Sequence, residues 1–127
     1  MSLKTYLVGL ASIVLLDFLW LGVIAQSFYQ EQLGELMVRT WIVPGLIVWA
    51  LIALGVYLYA LPKADSFRCA FALGGFFGFL VYAIYDLTNV TFLDWPLRLA
   101  IVDIVWGSLL CALLCVFMYG AKKYFRD

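Results

Sequence analysis

Residues 97–120 read LRLAIVDIVWGSLLCALLCVFMYG, an apolar run that only two charged side chains, Arg98 and Asp103, interrupt. An α-helix needs ~20 residues to cross a hydrocarbon core of ~30 Å, because each residue rises ~1.5 Å. The run is long enough for that, and its extra length permits tilt. It therefore predicts a transmembrane helix that carries a carboxyl group inside the bilayer.

Three earlier segments have the same character, at residues 6–25, 41–61 and 69–90. Hydrophobic residues make up 67% of the chain and charged residues 13%, which is outside the range of soluble domains. The sequence predicts an all-α polytopic membrane protein: a single domain, residues 1–127, folded as a four-transmembrane-helix bundle in the lipid bilayer. A net charge of +0 provides no basic surface for nucleic acid, which we exclude as a partner.

The basic residues predict the orientation of the four spans. Two of them, Arg39 and Arg98, fall on one side of the predicted membrane. The other six fall on the opposite side, at Lys4, Lys63, Arg68, Lys122, Lys123 and Arg126. Because short cytoplasmic loops are enriched in Lys and Arg, we expect both termini in the cytoplasm, an N-in/C-in arrangement.

Three acids, Asp17, Asp86 and Asp103, lie inside the predicted spans. A charged side chain at mid-helix costs roughly 2.5–3.5 kcal/mol on insertion scales, so acids in spans commonly mark functional sites. With the N-terminus inside, Asp17 lies about 18 Å along its helix, and Asp103 roughly 10 Å below the outer end of its own. The two are nearly level and Asp86 lies slightly above them. We predict one polar site in the outer half, with these carboxyls as candidate catalytic groups.

Two of the acids share a local pattern, because Asp17 is followed three residues later by Trp20, and Asp103 by Trp106. Residues at this spacing project from one helix face. An indole N–H is a hydrogen-bond donor on an apolar ring, so the pair can form a wall of a binding site. The alternative is that Trp20 belongs to an aromatic belt at the membrane interface.

The third span carries a four-residue stripe formed by Gly74, Gly78, Tyr82 and Asp86. The glycines form a small-xxx-small motif that lets a neighbouring backbone approach closely, and we interpret them as a packing seam. Residues 85–89, YDLTN, are too polar for packing alone. The candidate binding residues are Trp20, Tyr82, Tyr85, Thr88, Asn89 and Trp106.

The connection at residues 26–39 is long and amphipathic, with apolar side chains at 29, 33, 36 and 37. This spacing predicts a short helix on the outer surface. Such a helix either covers the cavity that holds the aspartates or is only an amphipathic connector.

Several segments resemble a family of small bacterial membrane proteins known as Domain of Unknown Function 2177. They are residues 16–22 (LDFLWLG), 28–29 (FY), 85–89 (YDLTN), 94–96 (DWP) and 103–107 (DIVWG), and the most specific is YDLTN. The resemblance extends over essentially the whole chain. It implies a four-helix protein of the bacterial inner (cytoplasmic) membrane, and it implies no activity.

Several chemistries have no support in the sequence. Histidine is absent, which removes the usual general base and the commonest zinc ligand. The cysteines Cys69, Cys111 and Cys115 lie within apolar helices. A soft-metal site at Cys111 and Cys115 is the alternative to their role as small buried side chains. We expect no metal and no cofactor.

Three function classes remain open, and proton-linked transport of a small solute or ion is the one that the sequence favours. In it, Asp17 and Asp103 share and carry a proton, Asp86 gates the outer mouth, and Trp20 and Trp106 line the path. Against it, the inner half has no comparable acid.

The second class is a membrane-embedded enzyme or binding pocket that uses paired carboxylates on a lipid-like ligand, with Tyr82, Tyr85 and Asn89 orienting its polar head. The third class is a structural membrane subunit. Because four helices enclose little space, we also expect a homo-oligomer.

Overall fold

The computed structural model describes residues 2–36 and 41–126, and these residues form helices and connections without a β-strand. The helices are α1 (Leu3–Leu19), α2 (Gln26–Leu33), α3 (Ile42–Gly55), α4 (Phe67–Phe92) and α5 (Leu97–Tyr124). A π-helical segment, Trp20–Ile24, extends α1, and a second one, Val56–Ala60, extends α3 before the 3₁₀ turn Leu61–Lys63. A 3₁₀ turn, Gly34–Leu36, follows α2.

Four of these helical stretches are long and apolar enough to cross a membrane: Leu3–Ile24, Ile42–Lys63, Phe67–Phe92 and Leu97–Tyr124. They correspond to the four segments predicted from the sequence. The predicted all-α, four-span fold is therefore confirmed. The connection residues 37–40, which include Arg39 and the apolar position 37, lie outside the described part of the chain.

Local sequence signals fix the ends of the helices. The Ser2 side chain accepts a hydrogen bond from the Thr5 amide, and the Ser66 side chain accepts one from the Cys69 amide at 3.1 Å. Both are serine N-caps, which satisfy backbone donors that have no partner inside the helix. Pro96 occupies the cap position of α5, where its missing N–H costs nothing. The cap at Ser66 explains why α4 begins before residue 69, the predicted start.

The packing of α4 against α5 is the most extensive contact between helices. A Cβ atom on Gly74 or Gly78 would collide with the backbone and cysteine side chains of α5, at Cys111 and at the carbonyl of Gly107. Gly107 in turn lies under the ring of Tyr82. The glycines of α4 therefore form a seam with α5, as the small-xxx-small spacing predicted.

The two ends of the bundle differ in character. At one end, which we call the termini end, the Lys4 ammonium lies 5.5 Å from the Phe125 ring centroid, and the Tyr57 hydroxyl donates to the Ser2 carbonyl. From there to mid-bundle the core is solid, with fully buried Ile13, Val56, Leu61, Leu110, Leu114 and Met118. The opposite end, the α2 end, carries α2 and the connection between α4 and α5.

The gap between α3 and α4 widens towards the α2 end. The two chain segments approach closely along Val56–Lys63, and at Gly55 the backbone still packs on the ring of Phe77. Beyond that point α3 packs mainly against α1. The gap therefore leaves one side of the bundle open towards its surroundings.

Candidate functional site

Asp17 is held by two tryptophans from two other helices. Its side chain is only 7% exposed. The Trp49 indole of α3 donates to Oδ2 at 2.7 Å, and the Trp106 indole of α5 donates to Oδ1 at 3.0 Å. Each carboxyl oxygen thus has one N–H donor, so Asp17 ties α1 to both neighbours through neutral partners.

Asp103 is held from the connection between the first two spans. The Tyr29 hydroxyl of α2 donates to Asp103 Oδ1 at 2.7 Å and accepts a hydrogen bond from the Trp20 indole at 3.3 Å. Burial, and then the nearby Asp103, raise the pKa of Tyr29 above its usual value. The tyrosine therefore remains a hydrogen-bond donor, because its charged form is disfavoured both by desolvation and by a like charge.

Asp86 is the most buried of the three acids, with 0% of its side chain exposed. The Trp95 indole, in the α4–α5 connection, donates to Oδ1 at 3.2 Å. The Asp86 carboxyl has the Asp103 carboxyl as a neighbour. Its Oδ2 atom is buried and has no hydrogen-bond donor among residues 2–36 and 41–126.

The three acids therefore belong to one network built almost entirely from aromatic donors. The ring of Trp20 stacks on that of Trp106, with centroids 4.5 Å apart and an interplanar angle of 10°. This stack links the partner of Asp17 to the partner of Asp103. Of the five tryptophans in the chain, four donate into the network, at Trp20, Trp49, Trp95 and Trp106.

The π-helical segment Trp20–Ile24 makes this arrangement possible. It closes with a hydrogen bond from the Ala25 amide to the Trp20 carbonyl at 2.7 Å, five residues apart. This wide turn leads directly into α2, whose Tyr29 then lies beside Trp20. Single π turns inside α-helices are often found at functional sites.

A cavity of about 470 Å³ lies beside the network, within the range of small-molecule pockets. Its polar lining consists of two acids and three tyrosines, and the rest is apolar. The lining residues are Asp17, Leu21, Tyr29, Leu33, Val48, Leu51, Ile52, Val81, Tyr82, Tyr85, Trp95 and Asp103. All five helices or their connections contribute, so the cavity exists only in the assembled bundle.

The cavity lies at the widened gap between α3 and α4. Val48 and Leu51 of α3 and Tyr85 of α4 line it, and all three are also exposed. Each belongs to a stretch that is long and apolar enough to cross a membrane. The cavity therefore opens on the side of the bundle, between α3 and α4.

The sequence-predicted binding residues divide into two groups. Trp20 and Trp106 are both partly buried and stack on each other. Tyr82 and Tyr85 line the cavity, whereas the lining does not include Thr88 or Asn89.

Thr88 instead bonds to its own helix and is exposed, with its hydroxyl donating to the Ile84 carbonyl. Asn89 is partly exposed. In the part of the chain that the structure describes, no group of three or more acids or cysteines is arranged to hold a metal ion.

Sequence reasoning did not select Tyr29, Trp49 or Trp95 as site residues. A signal was present, because a carboxylate inside a span without a Lys or Arg near it needs neutral donors, and indole and phenol groups are the donors that apolar helices tolerate. The second predicted span holds two indoles, and Trp49 is the one that lies inside it, since Trp41 is its first residue. The helix α2 also supplies Tyr29 and Leu33 to the cavity, and its Tyr29 contacts Asp103.

Comparison with known proteins gives one family. The family model described as predicted membrane protein (DUF2177) matches residues 2–120. No curated protein and no solved structure matches the chain. The match agrees with four helices that can span a bilayer and places the protein in a membrane. Because it covers nearly all of the sequence, the chain belongs to this family of predicted membrane proteins of unknown function.

Proposed function

We propose that the protein binds a lipid-like molecule in a membrane-embedded pocket. The molecule enters this pocket from the bilayer, between α3 and α4. The observation that carries the proposal is the cavity of about 470 Å³, which has apolar and aromatic walls and two carboxyls, Asp17 and Asp103, in its lining. Pockets that are mostly apolar with a few fixed polar groups are the usual form of small-molecule sites. Such a lining fits a molecule with an apolar chain and a polar head.

The opening supports entry from the bilayer. The exposed side chains on its α3 edge, Val48 and Leu51, are aliphatic, and its α4 edge has the partly exposed Val81 beside the exposed Tyr85. An alkyl chain therefore crosses this edge without losing apolar surroundings, while a hydrated ion would lose its water. The arrangement favours an amphiphile as the occupant.

The packing of the other half supports a pocket over proton-linked transport of a solute or ion. Every acid of the network lies towards the α2 end, and the described core beyond it is filled by fully buried apolar side chains such as Ile13, Leu110 and Leu114. Transport across the membrane requires a polar path or a site near the midplane that both sides reach in turn. A one-sided pocket needs neither.

A photo-crosslinking experiment tests the proposal. The protein is reconstituted into vesicles with a single-chain amphiphile that carries a diazirine in its alkyl chain, and labelled peptides are identified by mass spectrometry. We expect labelling at Val48, Leu51 and Val81 above that of exposed side chains elsewhere, and competition by excess unlabelled amphiphile. Uniform labelling of all exposed faces, without competition, would overturn the proposal.

A matched pair of variants strengthens the test. Leu51→Trp places a large ring at the mouth of the cavity, at a position that is 60% exposed and therefore tolerates the change. We expect it to reduce labelling of Val81 severalfold. Leu46→Trp introduces the same ring on the same helix at an exposed position that does not line the cavity, and it should leave the labelling unchanged.

A further inference from the structure

The hydrogen-bond donors to the three acids carry no positive charge. Both oxygens of Asp17 accept an indole N–H, so among the described residues this group acts as an acceptor. Asp103 accepts from the Tyr29 hydroxyl, and Asp86 accepts from Trp95. All of these donors are neutral, so they stabilise the acids without cancelling their charge.

One acceptor in the network is unpartnered. Asp86 is fully buried, and its Oδ2 has no donor among the described residues. Its neighbour is a second carboxyl, Asp103, which lines the cavity. A buried acceptor without a donor is costly, so the Asp86–Asp103 pair needs one more hydrogen, from a shared proton or from a ligand.

No basic side chain lines the cavity in the described part of the chain. Arg98, at the same end of the bundle, is exposed and its guanidinium lies 5.8 Å from the Phe28 ring centroid. A carboxylate in an apolar environment is strongly disfavoured unless a positive charge is close to it. Because no side chain supplies that charge here, the carboxylates of this pocket either take up a proton or pair with a cation that binds there.

The aromatic lining is a second, independent feature that suits a cation. Tyr29, Tyr82, Tyr85 and Trp95 surround the same space as the acids. The faces of aromatic rings attract ammonium groups, and cages of aromatic side chains are a common way to bind them. Acids and rings together therefore match one kind of head group.

We infer that the ligand is a cationic amphiphile, whose ammonium head lies between Asp17 and Asp103 and whose alkyl chain extends towards the gap between α3 and α4. The inference rests on the proposed pocket and names the chemistry of its occupant. An anionic head would meet two carboxyls, and a neutral alcohol would satisfy acceptors but leave their charge uncompensated.

Tryptophan quenching distinguishes the head groups. Three probes of equal chain length are used, an ω-bromoalkylamine, the ω-bromoalkanol and the ω-bromoalkanoate, because bromine quenches indole fluorescence. The protein carries Trp41→Phe, which removes the exposed indole and leaves only the four tryptophans of the network. Affinities are corrected for partition of each probe into protein-free vesicles.

We expect the amine, which is protonated at neutral pH, to bind roughly tenfold or more tightly than the alkanol, since hydrogen bonds to charged groups are stronger than neutral ones. In the Asp103→Asn variant the amine should lose this advantage while the alkanol binds as before. Asp65→Asn removes an exposed acid at the other end of the bundle and should change neither value.

The outcomes separate the two proposals. If no probe quenches above the partition background, the pocket itself is wrong. The alkanol or the alkanoate could instead bind as tightly as the amine to the protein in which Asp17 and Asp103 are unchanged. In that case the proposed pocket remains supported and the proposed cationic ligand is wrong. This comparison needs no acid variant, so it holds even if Asp103→Asn fails to fold.

Discussion

At the scale of single residues, the protein holds three acids in apolar surroundings with neutral aromatic donors. An indole has one N–H donor and no acceptor, so it can donate to a carboxylate without needing a donor itself. Trp49 and Trp106 serve the two oxygens of Asp17 in this way. The consequence is that the acids are fixed in position by partners that carry no positive charge.

The bond from Trp49 to Asp17 gives a direct prediction about stability. Trp49→Phe keeps an aromatic ring and removes the N–H, which leaves Asp17 Oδ2 without its partner. We expect the free energy of unfolding in detergent to fall by about 1.5–3 kcal/mol, the range for hydrogen bonds to charged groups. The matched control is Trp41→Phe, because Trp41 is 65% exposed. Equal stability of the two variants would contradict the assigned role of Trp49.

The sequence predicts which residues are unusual better than it predicts their partners. Asp17 in α1 and Trp20 in the π-helical segment both contact Trp106, yet the Trp20 indole donates to Tyr29. Likewise the Trp106 indole donates to Asp17 and not to Asp103, which is three residues before it on the same helix. The reason is that an indole reaches outwards to the next helix, and the rotation of one helix against another is set by packing that a single sequence does not encode locally.

At the scale of helices, the seam between α4 and α5 provides the rigid side of the bundle. Gly74 and Gly78 let the backbones meet, and the same face of α4 continues to Tyr82 and Asp86 at four-residue intervals. The close approach therefore sets the distance between Asp86 and Asp103, one on each helix. Without it, the two carboxyls would not share a site.

Gly78→Ala tests the seam. The added methyl group would meet the Gly107 carbonyl and the Cys111 side chain, so we expect a loss of about 1–3 kcal/mol in the free energy of unfolding from overpacking. Gly45→Ala is the matched control, since nothing lies within 4 Å of a Cβ there. Alanine forms helix better than glycine, so helix propensity favours both variants, and an equal loss of stability in Gly45→Ala would contradict the assigned role of the seam.

The existence of the four spans was predictable because ~20 apolar residues in a row have few other outcomes. The two π-helical segments were not predictable in this way. Trp20–Ile24 and Val56–Ala60 differ from α-helix by one residue in the hydrogen-bond register, a choice that depends on what the helix end must reach. The role of α2 follows from the same turn, since it directs Tyr29 back to Asp103.

At the scale of the whole molecule, the bundle combines a solid half with an open half. The termini end is closed by buried aliphatic side chains and by the α4–α5 seam. The α2 end holds the acids, the indoles and the cavity. A one-sided polar site of this kind gives the orientation of the protein in the membrane a functional meaning, because it decides from which leaflet a ligand would enter.

That orientation can be predicted from charge. Six of the eight basic residues of the chain lie in the segments at the termini end, while Arg98 lies at the α2 end, and basic residues remain in the cytoplasm. We therefore expect the termini end to face the cytoplasm and the acids to lie in the outer half. Asp65→Cys and Asp94→Cys place thiols in exposed connections at opposite ends, with Cys69 replaced by serine and Cys111 and Cys115 already buried. In intact bacterial cells a membrane-impermeant maleimide should label only position 94, and after lysis both positions. Labelling of position 65 alone in intact cells would invert the topology and place the pocket in the inner leaflet.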